Sequence, residues 1–377
     1  MRLAVISRPF AFYGGVERAT AGLVDELVRQ GHELHLLTTA PQAPWRGVTV
    51  HRLPVFAQPS LARLVSFALA AAVAVRAVRY EVVQSHERTL VHDLYRAGEG
   101  CHRAYLEIKA RRSRRGARLL LLANPHHRVL LALERRIFAP SAQIVAISKR
   151  SREEICRLYD VGPDRVAVVY NGVDLARFSP DNRPRYRAQT RSELGIGSDE
   201  WVILFVGSGF ERKGLGPLIE GVSRLQDRRA RLCVVGKGSS ARYRELALRL
   251  GVDDRVIWAG PHPDVERFYG AADLVALPSL YEPFGNVHLE ALASGLPVVA
   301  SSQSGGAEVI TPGETGWILD NPEDPGEIRQ ALRALREAEP GRWRDAARAA
   351  AEPFTYAAQA RAFTELYRTM ATGGEIR

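Results

Sequence analysis

The sequence predicts two doubly wound α/β domains, each a parallel sheet with helices on both faces. Three observations predict it. The chain is 377 residues long, too long for one compact core and suited to two domains of roughly 150 to 200 residues each. Short β-rich apolar runs alternate with helical stretches from end to end, the pattern of strands joined by helical crossovers. Between the halves lies a polar stretch, Ser179 to Arg191, with two prolines and alternating charge, and a second apolar start, Trp201-Val-Ile-Leu-Phe-Val206, follows it. That stretch reads as a linker. The expected division is 1–180 for an N-terminal acceptor-side domain and 181–353 for a C-terminal nucleotide-binding domain. A helical tail, 354–377, is expected to pack back toward the N-terminal domain.

In order, the strands expected in the first half are Leu3 to Ser7, Glu33 to Thr38, Val48 to Leu53, Val82 to Ser85, Gln143 to Ile147 and Val166 to Val169. Each is a short run rich in branched aliphatic residues and bounded by polar or turn residues. The second half repeats the scheme at Val202 to Val206, Leu232 to Val235, Val256 to Trp258, Leu274 to Leu277 and Val298 to Ser301. Helices fill the intervals, and Phe354 to Met370 is helical in pattern. Both halves open with an apolar strand running into glycine. In such sheets nucleotides sit beyond the strand ends, so a cleft between the two domains is the expected site.

Composition narrows the class. Hydrophobic residues at 46% and charged residues at 25% describe a packed globular protein, which excludes wholesale disorder, a collagen-like fibre and a disulfide scaffold. Cys101, Cys156 and Cys233 are odd in number and far apart, so neither a disulfide framework nor a zinc site is expected, and a reducing cytosol fits. Met1 leads straight into the first strand with no leader pattern. The longest apolar run, Leu64 to Val75, has 12 residues, short of the roughly 18 to 20 needed to cross a bilayer, so no spanning segment is expected. The net charge of +10 has a local source: Cys101 to Arg136 holds ten arginines or lysines against two glutamates. Anionic membrane, anionic substrate and nucleic acid are the partners such an excess allows.

Four constellations carry chemistry. Tyr281-Glu-Pro-Phe-Gly-Asn-Val-His-Leu-Glu-Ala-Leu-Ala-Ser-Gly295 follows a strand. Pro283 and Gly285 make a tight loop, and Asn286 is expected to cap a helix whose free N–H groups hold an anion or hydroxyl. Glu282 and Glu290 then address different parts of one elongated ligand, each carboxylate accepting two hydrogen bonds from neighbouring sugar hydroxyls. Val206-Gly-Ser-Gly-Phe-Glu-Arg-Lys-Gly214 places Gly207 for close backbone approach and Arg212 with Lys213 for phosphate oxygens. Phe12-Tyr-Gly-Gly-Val-Glu-Arg18 and Ser304-Gly-Gly-Ala-Glu308 add two glycine turns. Alone, a glutamate or an Arg-Lys pair would be ordinary solvated surface.

Taken together these strings resemble the retaining nucleotide-sugar glycosyltransferases of family 4, which have the GT-B fold of two Rossmann-like domains facing each other across a cleft. Tyr95-Arg-Ala-Gly-Glu-Gly-Cys-His-Arg-Ala-Tyr-Leu-Glu107 and the basic stretch after it are most similar to the lipopolysaccharide core heptose glucosyltransferase group. The resemblance implies a UDP-linked donor and roles by position. Glu290 would hold the ribose hydroxyls, Glu282 with Phe284, Gly285 and Asn286 the transferred sugar, and Arg212 with Lys213 the diphosphate. Gly14 and Gly15 would approach the donor phosphate. Glu99 stands near the acceptor, where the group usually has aspartate. Retention without an enzymic nucleophile implies attack on the same face, the leaving phosphate accepting the acceptor's proton.

No two of the fifteen aspartates are separated by a single residue, so no metal-binding Asp-x-Asp is present and no metal or other cofactor is expected. The histidines form no ligand pair with a neighbouring carboxylate and read as packing or surface. Arg111, Arg112, Arg114, Arg115 and Arg118 are expected to meet an anionic membrane or the acceptor at the cytoplasmic face of the inner membrane, with Pro125 breaking or beginning a helix. The alternatives are a family 4 enzyme with another glycan or glycolipid acceptor and, from a different class, a basic nucleic-acid-binding protein. The arginine run lacks interleaved aromatics, and a nucleic-acid reading leaves Glu282 and Glu290 unexplained, so no nucleic-acid partner is expected.

Overall fold

The computed structural model describes residues 1–8, 15–40, 44–56, 58–112, 121, 123–139, 142–339 and 341–372. The chain forms two compact units, Met1–Tyr170 with Tyr356–Arg377, and Asn171–Thr355. The division falls at Tyr170/Asn171 rather than 180/181, for a physical reason. Val173 N–H donates to the Phe354 carbonyl (2.8 Å) and Arg177 pairs with Glu266 (2.8 Å), which ties the segment after Tyr170 into the second unit.

In the first unit the elements are β1 (Arg2–Ile6), α1 (Gly15–Arg29), β2 (Glu33–Thr38), β3 (Val48–Arg52), α2 (Ser60–Ala77), β4 (Val82–Ser85), β5 (Leu94–Ala97), α3 (His102–Arg112), α4 (Pro125–Ile137), β6 (Gln143–Ala146), α5 (Lys149–Tyr159) and β7 (Val166–Val168). The seven strands are parallel in the order β3-β2-β1-β4-β5-β6-β7. Strand alternation makes this sheet two-sided. Leu3 and Val5 of β1 enter one core with Leu23 and Leu27 of α1, while Ala4 and Ile6 enter a second core with Phe67 and Ala71 of α2. The tail helix, Tyr356–Thr372, seals the first core with Ala360, Phe363 and Tyr367. Gly22 of α1 makes room for it, since a Cβ there would sit 2.4 Å from the Tyr356 ring.

The second unit runs α6 (Asn182–Glu193), β8 (Trp201–Val206), α7 (Leu215–Ser223), β9 (Ala230–Val235), α8 (Ala241–Arg249), β10 (Val256–Gly260), α9 (Glu266–Ala271), β11 (Leu274–Leu277), α10 (Asn286–Ala293), β12 (Val298–Ser301), β13 (Gly316–Leu319), α11 (Pro325–Glu337) and α12 (Arg344–Ala351). The tail helix is α13. The six strands of the second unit are parallel in the order β10-β9-β8-β11-β12-β13. These are two doubly wound Rossmann-like units, as the sequence predicts.

Three local expectations need correction. The polar stretch expected to be a linker contains most of helix α6. Arg183, Arg187 and Arg191 fall four apart on one face and converge on Asp273 (3.1, 2.9 and 2.7 Å), while Pro184 sits in the first turn, where its missing N–H costs nothing. Strand β5 is not evident in the sequence because Arg96 interrupts its apolar pattern, although all four of its residues are buried. Helix α2 extends past the apolar run at both ends, to 18 residues, and is long and apolar enough by length and composition to cross a membrane. In this fold Phe67 and Ala71 pack against the first sheet, and Ala68 and Ala72 are buried beside them.

Candidate active site

In each sheet the strand order reverses once, beside β1 and β4 in the first and beside β8 and β11 in the second. Helices leave to opposite faces at such a point and the strand ends are left open, so ligands of doubly wound sheets bind there. The loop after β8 carries Gly207 to Gly214, and the loop after β11 carries Tyr281 to Gly285. The two are stitched together, Leu280 N–H donating to the Arg212 carbonyl at 2.8 Å. A cavity of about 140 Å³ beside Trp201, Asp273 and Pro297 lies where these strands start, not where they end.

The two loops bring three charges together. Arg212 Nη1 donates to Glu282 Oε2 (2.8 Å) and to the Tyr281 carbonyl (2.8 Å), and Lys213 Nζ donates to the same Glu282 oxygen (3.0 Å). Burial would raise the Glu282 carboxyl, but the Lys213 and Arg212 cations outweigh it and hold the group at about 2. A carboxylate so placed stays ionised at any physiological pH, so two cations on one carboxylate leave positive charge to spare for an anion. Glycine permits the close packing. A Cβ on Gly207 would lie 2.5 Å from the Lys213 stem, and Gly207, Gly209 and Gly214 all have positive φ.

Glu282 is fixed through its backbone as well. Its N–H donates to the Gln303 carbonyl (3.2 Å), and Gly305 N–H donates to its carbonyl (2.9 Å). The Ser304-Gly-Gly turn therefore packs against the loop, with Ser304 Oγ donating to the Phe284 carbonyl at 3.1 Å. Phe284 itself is buried. Helix α10 is not capped by Asn286. Gly285, in the left-handed region at φ 86°, takes the cap position, and the Asn286 side chain accepts from Asn171 Nδ2 at 2.6 Å. A left-handed turn suits glycine better than asparagine here because a Cβ would meet the His288 ring at 2.7 Å.

Glu290, five residues into α10, is buried and accepts from Tyr269 Oη at 2.6 Å. That hydrogen bond orients the carboxylate, a group whose chemistry suits hydroxyl donors. Tyr269 and His288 carried no warning in the sequence beyond their position. His288 is wholly buried between two glycine turns: Gly285 and Gly306 both face its ring. Its Nδ1 lies 2.7 Å from the Gly285 carbonyl; a carbonyl only accepts, so Nδ1 holds the proton. Burial brings the ring's pKa down to about 4, so the ring is neutral.

Glu99 belongs to the first unit, away in sequence from all of these. It pairs with Arg8 and with Arg88 Nη1 (2.9 Å), and Arg88 continues to the fully buried Glu134 (2.8 Å). Burial raises the Glu99 carboxyl and the two arginines lower it, the net direction being down. Glu99 is thus a fixed anion. Gly14 lies outside the described residues, and Gly15 is the first residue of α1. Arg111 and Arg112 are exposed at the end of α3, while Arg114, Arg115 and Arg118 lie outside the described residues. Pro125 begins helix α4, with Asn124 Oδ1 accepting from His126 N–H at 2.9 Å. Among the described residues no group of three metal-ligating side chains is found.

Residues 187–352 match the family model described as glycosyl transferases group 1, and residues 13–177 that of glycosyltransferase family 4. The chain is 30% identical to an uncharacterised glycosyltransferase of Methanocaldococcus jannaschii, over 87% of each chain. It is 31% identical to the D-inositol 3-phosphate glycosyltransferase of Corynebacterium glutamicum, over 93% of this chain and 85% of the relative. In structure it is similar to WaaG, a glycosyltransferase involved in lipopolysaccharide biosynthesis, with a TM-score of 0.83 and 23% identity over 97% of this chain and 99% of that one. Anabaena HepE in complex with UDP-glucose gives 0.75 and 20% over 98% and 100%.

Proposed function

The chain belongs to the group 1, family 4 glycosyltransferases and has their GT-B fold, and from that premise we propose the reaction in detail. It transfers glucose from UDP-glucose, with retention and without a divalent metal, to an inner-core heptose of lipopolysaccharide. The observation that carries the donor half is the cluster in which Arg212 and Lys213 share one oxygen of Glu282 at the end of β8 and β11. Cleaving the sugar–phosphate bond builds negative charge on the leaving diphosphate, and preorganised cations stabilise that charge most in the transition state. Lys213 and Arg212 take that part. Glu282, with the backbone of Phe284 to Asn286, orients the sugar, and Glu290, steadied by Tyr269, accepts from the ribose hydroxyls. The C1–O bond to phosphate breaks, the C1–O bond to the acceptor forms on the same face, and the acceptor's proton passes to the leaving phosphate oxygen.

Support for the donor is the complex of HepE with UDP-glucose, and support for the acceptor is the likeness to WaaG together with the string Tyr95 to Glu107. Such an acceptor lies at the cytoplasmic face of the inner membrane, and the arginines after Cys101, Arg111 and Arg112 first among them, attach the enzyme there as a peripheral protein. A second reading has a specific basis too: the C. glutamicum relative is closer in sequence than WaaG, so inositol 3-phosphate is the competing acceptor.

Donor hydrolysis screened across UDP-, GDP- and ADP-sugars, followed by transfer to heptose-terminated lipopolysaccharide or to inositol 3-phosphate, tests the proposal. UDP-glucose and the lipopolysaccharide are the expected pair, with rates unchanged by EDTA. Loss of activity in EDTA and its return with magnesium would refute the metal-free step, and transfer to inositol 3-phosphate alone would replace the acceptor.

A further inference from the structure

Helix α2 carries an exposed apolar face. Its packed side is Phe67, Ala68, Ala71 and Ala72. Turning by about 100° per residue, Val65, Leu69 and Val73 fall on one stripe on the opposite side, exposed by 41, 53 and 69%. Phe56, 68% exposed, is tied to the same side, its N–H donating to Ser66 Oγ at 3.1 Å. Among the described residues six large apolar side chains are exposed, and four of them are in this patch. Scattered apolar residues are ordinary on a protein surface, but a contiguous patch marks a contact.

Charge says with what. From Leu34 to Tyr80 the sequence has five arginines and neither aspartate nor glutamate. Arg76 continues the stripe one turn beyond Val73, and Arg63 and Arg79 stand exposed beside it. A second copy of the chain would set the arginines of this helix against their own counterparts, which disfavours a symmetric pair. An anionic bilayer offers both halves of the complement, an apolar layer and phosphates above it. Crossing the bilayer would strip Phe67 and Ala71 from the core they share with Ala4 and Ile6.

We infer that the outer face of α2 is an anionic-lipid docking surface, with Val65, Leu69, Val73 and Phe56 entering the interfacial layer while Arg63, Arg76 and Arg79 meet lipid phosphates. This deepens the peripheral attachment proposed above and differs from it in one respect: the apolar hold belongs to this helix, not to the arginines after Cys101. It does not depend on the reaction.

Co-sedimentation of the full chain with vesicles of phosphatidylethanolamine and phosphatidylglycerol, or of phosphatidylcholine alone, tests it. The combined Val65→Ser, Leu69→Ser and Val73→Ser variant should lose about tenfold or more in partition to the anionic vesicles, with thermal melting and nucleotide-sugar hydrolysis unchanged. The combined Arg63→Gln, Arg76→Gln and Arg79→Gln variant should lose the preference for anionic over neutral vesicles. Wild-type binding by the serine variant overturns the inference. If Arg111→Gln with Arg112→Gln releases the protein in that case, attachment by the basic segment stands alone. Wild type that binds neither vesicle removes both membrane readings and leaves the enzymatic one untouched. A dimeric wild type that the serine changes render monomeric, with lipid binding unaltered, assigns the face to a second copy and also overturns it.

Discussion

Glu290, buried in α10, accepts from Tyr269 Oη, and in the proposed reaction it accepts from the donor's ribose hydroxyls as well. Removing it deletes hydrogen bonds to a charged acceptor, each contributing roughly 1.5 to 3 kcal/mol. Glu290→Ala is therefore expected to weaken UDP binding by about 10- to 100-fold while the protein still melts cooperatively, as calorimetric titration would show. Glu282 behaves differently, because its carboxylate is also an internal anchor for Arg212 and Lys213. Its folded pKa of about 2 lies below the ordinary 4.5. A depressed carboxyl stabilises the fold above the ordinary value and loses that contribution as pH falls through the depressed one. Glu282→Gln should thus cost about 1 to 3 kcal/mol at pH 7, and the gap from wild type in melting temperature should narrow between pH 4.5 and pH 2. A gap that stays constant over that range would place the charge elsewhere.

Elements were legible where period and composition agreed. Strands β1, β8 and β11 are unbroken apolar runs, and the glycines after β8 and β11 announced tight turns. The loops after β8 and β11 could be read because their residues are close in sequence. What sequence could not supply were contacts between distant segments. Tyr269 meets Glu290 from the preceding crossover, Asn171 meets Asn286, and three arginines in a polar stretch become a helix face only because Asp273 awaits them. Arg191 is buried, so Asp273→Ala would leave an uncompensated charge and should destabilise the second unit by about 3 to 5 kcal/mol, seen as an earlier urea transition. Gly214 is a stricter case. It starts α7 at φ 76°, and a Cβ there would lie 1.9 Å from the Pro278 carbonyl. Gly214→Ala combines a strained φ with a backbone clash, so a loss of at least about 2 kcal/mol is expected, along with displacement of Lys213. An alanine variant as stable and active as wild type would contradict this account of the loop.

At the scale of the whole molecule, the first unit is made of two distant pieces of chain. Phe363 and Tyr367 of the tail are fully buried in the core formed by β1 and α1, and Tyr367 Oη donates to the buried Gln84. Ending the chain at Thr355 should therefore unfold or loosen the first unit, with protease cutting within residues 1–170, while the second unit, whose core closes without the tail, keeps its resistance. The proposed reaction rests on the other unit, where the cations following β8 would act on charge that grows as the donor bond breaks. The direct test is single-turnover release of UDP from UDP-glucose by wild type and by Lys213→Ala, with UDP affinity measured on the same samples. A fall in rate of about 10²- to 10³-fold with affinity changed far less is the predicted result. Equal rates, or a loss confined to binding, would contradict it.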